Sequence, residues 1–392
     1  MNILLNSKPA RGSAAYIRRE YLLYDRFDTA RAAGAVNGTQ AEPVGGARTV
    51  TDTNSKISIS GGLLSFATGL AINDKVAWTA ITRTLGIGVM TTINLANLTS
   101  KPNIGWGASD LFIFDSAGTG LLYANINSAA FPVIGTYSAT TYQTAVIYRA
   151  TGAFWFIKGG AFTNWTMMYN SLLGTANRTP QVLTQIAASI FTVDNMRVPK
   201  QRYIPVPLQS DGMSAATTDG LGNPENNGTA GNVYTDIGTW GVSGGVRSCS
   251  VLGGGGAGIS VLSTSTRNVF IEANLTRSAG RVGIVARYQD SSNYIHCSHD
   301  GTNVLVIQVV AGTPTTLSTT AVAYSAGATM KFIADGTTYR AFYNNTAAGS
   351  GTLPDTSNTS HGLITNNTGN TFDNLVIWAR GNEGQYETLS LL

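Results

Sequence analysis

The chain is written twice. Ile57-Ser58-Ile59-Ser60-Gly61-Gly62-Leu63-Leu64-Ser65 has a counterpart in Trp240-Gly241-Val242-Ser243-Gly244-Gly245-Val246-Arg247-Ser248. In both, an apolar alternation runs into Ser-Gly-Gly and then resumes, the pattern of a strand, a tight turn and a strand. Further on, Phe191-Thr192-Val193-Asp194-Asn195-Met196-Arg197-Val198 is echoed by Phe372-Asp373-Asn374-Leu375-Val376-Ile377-Trp378. Gly244 follows Gly61 by 183 residues and Asp373 follows Asp194 by 179. Solenoid repeats have periods of about 20–50 residues, so a unit of this length is a whole domain. The 392 residues accommodate two such copies.

The same rhythm links the landmarks in both halves. Gly88–Leu95 matches Val269–Leu275 as an alternating strand, and Leu111–Asp115 and Val282–Tyr288 are apolar runs beside it. Ala145–Arg149 and Ala153–Ile157 read as a hairpin, paralleled by Met330–Ala334 and Tyr339–Tyr343 across Asp335-Gly336. Asp-Gly between alternating strands is a strong hairpin signal. Only 12% of the residues are charged, while 43% are hydrophobic and 45 are glycine. That excludes a disordered chain, which needs high charge and low hydrophobicity, and argues against a helical bundle with its charged outer faces. The expected fold is all-β: two tandem sandwiches with a short N-terminal arm.

The expected boundaries are an arm at 1–23, a first sandwich at 24–198, a Pro-rich connector at 199–210, a second sandwich at 211–380 and a tail at 381–392. Three prolines within Pro199–Pro207 favour an extended connector. The arm holds Tyr16, Arg18, Arg19, Tyr21 and Leu22. Apolar side chains mixed with arginine suit a protein interface, so it is read as an assembly arm. The net charge of +4 has no basic stripe behind it, which argues against a nucleic-acid partner. No apolar run reaches the eighteen or so residues of a membrane helix, and the N-terminus is too short in apolar residues for a signal peptide; neither membrane insertion nor Sec export is expected. Cys249 and Cys297 are too few for a disulfide framework and are read as buried thiols.

An opening Asp25-Arg26-Phe27, a Ser-Gly-Gly hairpin and a closing Phe-(x)-Asp-Asn strand together resemble the concanavalin A-like lectin/glucanase superfamily, in its laminin-G-like branch. The resemblance covers about 24–198 and 211–380, with Asp211-Gly212-Met213 departing from Asp-x-Phe in the second copy. It implies jelly-roll modules that bind glycans, cleave them or act as spacers, of a kind common in tailed-bacteriophage virions. The expected role is a non-enzymatic virion structural protein, assembled in the host cytoplasm. Its partners would be other virion subunits, copies of itself and host surface polysaccharide. The alternative is a secreted bacterial glycan-binding or glycan-cleaving protein.

Glycan hydrolysis needs two opposed carboxylates, and glucanases of this fold carry a Glu-x-Asp-x-x-Glu strand. The chain lacks that string: Glu272 stands alone, and Asp110 and Asp115 fall on opposite faces of a regular strand. His296 and His299 also point to opposite faces, which argues against a metal pair, and His361 lies in a loop. Asp194 and Asp373 recur with their asparagines; their oxygens suit calcium, although a turn-capping role is preferred. No other cofactor is expected. Trp165, Trp106 and Tyr294 are the candidates for stacking on sugar, with Trp165 the most exposed of them.

Overall fold

The computed structural model describes residues 14–107, 109–115, 118–149, 152–173, 178–213, 226–227 and 234–392. The chain divides into two compact units, one of residues 1–205 with 381–392 and one of 206–380. Each unit holds a nine-stranded and a seven-stranded antiparallel sheet, the layered arrangement of a sandwich.

The duplication extends to every strand. In the first unit the nine-stranded sheet runs Phe162–Ser171, Ala153–Gly159, Thr141–Tyr148, Gly88–Leu95, Phe191–Pro199, Tyr21–Asp25 and Pro43–Val44. In the second unit the order is Thr346–Thr352, Thr338–Tyr343, Ala328–Asp335, Val269–Thr276, Thr371–Ala379, Gln209–Asp211 and Asn226–Asn227. The hairpin Ile57–Ser60/Leu63–Phe66 joins the strand Phe191–Pro199, and Thr239–Ser243/Val246–Val251 joins Thr371–Ala379 in the same way. Gly61 and Gly62 have φ of 60° and 77°, and Gly244 and Gly245 have 62° and 79°. A two-residue turn with both central residues left-handed matches the twist of its strands, which is why Gly-Gly stands there in both copies.

The seven-stranded sheets correspond as closely. Val133–Thr136, Leu121–Ile126, Asp110–Phe114, Pro102–Trp106, Pro180–Thr184, Lys75–Ala77 and Thr49–Thr51 form the first. Thr313–Ala321, Asn303–Val310, Asn293–His299, Val282–Asp290, Ser360–Thr365, Gly258–Ser263 and Thr235–Ile237 form the second. The strand equivalent to Val282–Asp290 is therefore Pro102–Trp106, and Asp110–Phe114 answers to Asn293–His299. The sequence pairing of the runs starting at Leu111 and Val282 was one strand out, and each lies in the seven-stranded sheet of its own unit, not beside Gly88–Leu95 or Val269–Thr276.

Aromatic side chains are prominent among the first unit's buried residues. Trp78, Trp106, Trp155 and Trp165 are fully buried. The Trp106 indole donates to the Val146 carbonyl in the facing sheet at 2.7 Å, so a buried N–H is satisfied while its ring packs. Cys249 and Cys297 are buried free thiols, and burial raises the pKa of both.

Both chain ends depart from the expected boundaries. The helix Ala14–Glu20 leads into Tyr21–Asp25, which pairs with Phe191–Pro199; Leu23 is fully buried there. Tyr21 and Leu22 are thus sheet residues of the first unit, and Ile17 is buried while Arg18 and Arg19 are exposed. Arg19 pairs with its neighbour Glu20. The side chain of Tyr16 and all of residues 1–13 lie outside the described residues. Of the apolar residues read as an assembly surface, Ile17 and Leu23 are buried in the first unit, and Tyr21 and Leu22 are half-buried there. The tail also folds onto the first unit: Glu387 accepts from Lys158 Nζ at 2.5 Å and from the Trp165 amide at 2.8 Å, and Leu389 is fully buried.

Candidate functional site

Side-chain alternation in the second unit's seven-stranded sheet separates a core face from an outer face. Ile284, Ile295, Cys297 and Leu363 belong to the core between the sheets. Their neighbours Gly283, His296, Ser298 and Ile364 therefore face outward. A second apolar cluster lies on this outer face, built of Ile259, Val261, Val285 and Ile364 with Ile237, Tyr288 and Tyr294 packed against it. Above it is a cleft of about 430 Å³. Small-molecule sites span about 300–1,000 Å³ and are mostly apolar with a few placed polar groups.

Those polar groups are present. His296 and Ser298 line the cleft and are buried to 6% and 1% exposure. His296 Nδ1 and Ser298 Oγ have no hydrogen-bond partner among the described residues. A buried polar atom left unpaired costs about 1–3 kcal/mol, so most are satisfied in native proteins and an exception calls for a cause. Burial, reinforced by the nearby charge of Arg281, lowers the His296 pKa to about 3, and the imidazole is neutral at ordinary pH. Tyr294 lies 5.9 Å from the His296 ring and 6.2 Å from that of Tyr288, so three rings run along one face. One wall is the backbone of Gly254-Gly255-Gly256, where the absence of side chains leaves room for a ligand.

The sequence candidates are placed differently from expectation, apart from Tyr294. Trp165 is fully buried beneath the tail, its indole donating to Ser390 Oγ at 2.9 Å. Trp106 is in the core. Neither ring presents a face to a sugar. Each aspartate lies at a β-bulge, though not at the same place in it: Asp194 is itself the residue skipped between Val193 and Asn195 against Gly88–Leu95, whereas Asp373 still pairs with Asn274 and the slip follows it. Asn374 takes φ of 51° and donates its amide to Asp373, and both Asp-Asn pairs lie next to a bulge within a strand and not at a turn. Among the described residues no three His, Cys, Asp or Glu side chains converge as a metal site would require.

The remaining titratable groups are held structurally. His361 lies within the strand Ser360–Thr365, not in a loop; its Nδ1 accepts from the Arg287 amide and its pKa is lowered by burial to about 4. His299, on the core side, accepts from the Gly301 amide at 2.9 Å. Glu272 faces Lys331 at 3.8 Å across the sheet. Asp110 is ion-paired with Arg83, and burial raises its pKa against that pairing. In the first unit the strand registers put Leu111 and Ile113 at the places of His296 and Ser298; the buried Asn103, whose amide atoms also have no partner among the described residues, stands at the place of Gly283.

No family model and no curated protein matches the chain. Solved structures similar to it include a carbohydrate-binding module (CBM66) from Bacillus subtilis, at 13% identity and TM-score 0.27, covering 37% of this chain and 92% of that one. An endo-β-1,3-glucanase from Pyrococcus furiosus has 9% identity and TM-score 0.32, covering 46% and 93%. A glycosyl hydrolase family protein from Mycobacterium fortuitum has 12% identity and TM-score 0.30, covering 45% and 99%. The neighbours are concanavalin A-like jelly-roll lectin and glucanase modules, and the likeness is one of fold. Their presence corrects the expectation of a non-enzymatic chain: glycan-cleaving proteins stand among them, although the Glu-x-Asp-x-x-Glu string is not in this sequence. Nothing links the chain to virion proteins.

Proposed function

We propose that the protein engages glycans, and that the second unit's outer cleft is where it does so. The observation that carries this reading is the pair of buried, unpartnered polar atoms, His296 Nδ1 and Ser298 Oγ, in a cleft floored by apolar side chains and lined by Tyr294. A sugar has apolar C–H faces and a rim of hydroxyls. Stacking on Tyr294 would bury the first, and hydroxyls would supply the partners that His296 and Ser298 lack. This favours the reading of a glycan-binding or glycan-cleaving protein over that of a particle subunit.

The test is a polysaccharide panel screened with the full chain and with Tyr294→Ala and Ser298→Val, each verified as folded by circular dichroism. Binding that is lost or weakened about tenfold or more in both variants supports the site. Binding unchanged in both, or no binding to any glycan, overturns it. Reducing ends assayed in the same mixtures distinguish binding from cleavage.

A further inference from the structure

We infer that the ligand of this cleft is an acidic glycan, one carrying a carboxylate or sulfate on the sugar that enters it. The inference rests on the glycan reading above and adds the charge of the ligand to it.

Among the described residues, the cleft lining contains Arg281 and no Asp or Glu. The Arg281 backbone is fixed from both sides: its amide donates to Asn366 Oδ1, and its carbonyl accepts from Asn370 Nδ2 at 3.0 Å. Its guanidinium makes no ion pair or hydrogen bond among the described residues, although the chain's other buried or half-buried arginines include several with carboxylate partners, such as Arg48 with Asp25 and Arg247 with Asp236. A main chain held this firmly with the charged end left unused is the arrangement of a binding group. Guanidinium matches carboxylate and sulfate in shape and charge, and such bonds are about twice as strong as neutral ones.

The neighbouring polar groups agree. Neutral His296 can carry its proton on the unpartnered Nδ1, and Ser298 has a hydroxyl proton to give. With Arg281 the cleft offers donors of three kinds and, among the described residues that line it, no carboxylate to repel an anion. Hydroxyls of a neutral sugar could accept from all three but leave the Arg281 charge without a counter-charge; an acidic sugar supplies it.

The full chain would be run by affinity electrophoresis through gels containing polygalacturonate, alginate, hyaluronate or a sulfated galactan, each beside its carboxyl-reduced or desulfated form. Arg281→Gln is compared with Arg202→Gln, which removes the same charge from an exposed site in the first unit. The expected result is retention by at least one acidic polymer in preference to its neutral form, weakened about tenfold by Arg281→Gln and unaffected by Arg202→Gln. Equal retention by acidic and neutral forms overturns the acidic ligand and leaves the glycan reading standing. Equal loss in the two arginine variants means non-specific charge attraction and also overturns it. No retention by any polymer removes both readings.

Discussion

Phe27 and Met213 hold the same left-handed backbone conformation, with φ of 57° and 56°, and each donates its amide to the aspartate two residues earlier, Asp25 or Asp211. Non-glycine residues avoid this region, so the strain is held in place by what surrounds it. The surroundings differ. Asp25 is fully buried and takes Arg48 Nε at 2.7 Å, Arg48 Nη2 at 2.6 Å and Trp78 Nε1 at 2.9 Å. Asp211 instead accepts from the Tyr234 hydroxyl at 2.9 Å. The Asp-x-Phe and Asp-Gly-Met openings are thus one structural device with two sets of partners.

Asp25→Asn leaves the buried Arg48 charge with only the more distant Glu42, 4.0 Å away, and the expected loss of stability is about 3–5 kcal/mol. Asp211→Asn keeps an acceptor for one of its neutral donors, for an expected loss of about 1–2 kcal/mol. Denaturant unfolding of the full chain checks the order; equal losses would contradict it.

Removing residues 381–392 takes Leu389 and Glu387 away from the first unit and uncovers Trp165. Burying Leu389 alone contributes about 1.5–3 kcal/mol. Acrylamide quenching of tryptophan fluorescence should rise in the truncated chain, and thermal unfolding should begin earlier. Unchanged quenching would mean that the tail is not the cover of Trp165.

Stability should fall as pH drops from about 6.5 towards 3. His296 and His361 have native pKa values of about 3 and about 4, below the unfolded value near 6.5. In that window the unfolded chain binds more protons than the native one, so each group contributes a slope of about 1.4 kcal/mol per pH unit. Above pH 6.5 both are neutral in either state and the contribution is constant. His296→Gln should flatten the slope between pH 4 and 6 by about the share of one group, measured by urea unfolding at a series of pH values. An unchanged slope would show that His296 titrates normally.

Gly244 offers a cleaner probe of the repeated turn, because a Cβ there would meet no atom within 4 Å. Any cost of Gly244→Ala is therefore the left-handed backbone alone, about 1–2 kcal/mol. Gly244→Asn should cost less, since asparagine tolerates that region. A neutral alanine variant would place the turn in another conformation.

The sandwich architecture was legible because turn residues report on their own backbone: Gly61-Gly62 and Gly244-Gly245 are local signals, and so is Asp335-Gly336. The seven-stranded sheets were harder to pair. Asp110-Leu111-Phe112-Ile113-Phe114 and Asn293-Tyr294-Ile295-His296-Cys297-Ser298-His299 occupy equivalent strands with little in common but alternation, so nothing local ties one to the other. Trp165 was misjudged because its cover, Ser390, is 225 residues away. For the cleft, alternation did place His296 and His299 on opposite faces. It could not tell that the face bearing His296 and Ser298 is open at that point and carries a second apolar cluster, since that depends on loops such as Gly254–Gly256 that have no period to read.

The return of residues 381–392 to the first unit makes the second unit an insertion within the first. A ribosome would deliver all of residues 206–380 before the segment that covers Trp165 and pairs with Lys158. The sandwich begun first is thus the last to be finished, and a chain stopped anywhere in the second unit leaves the first one open.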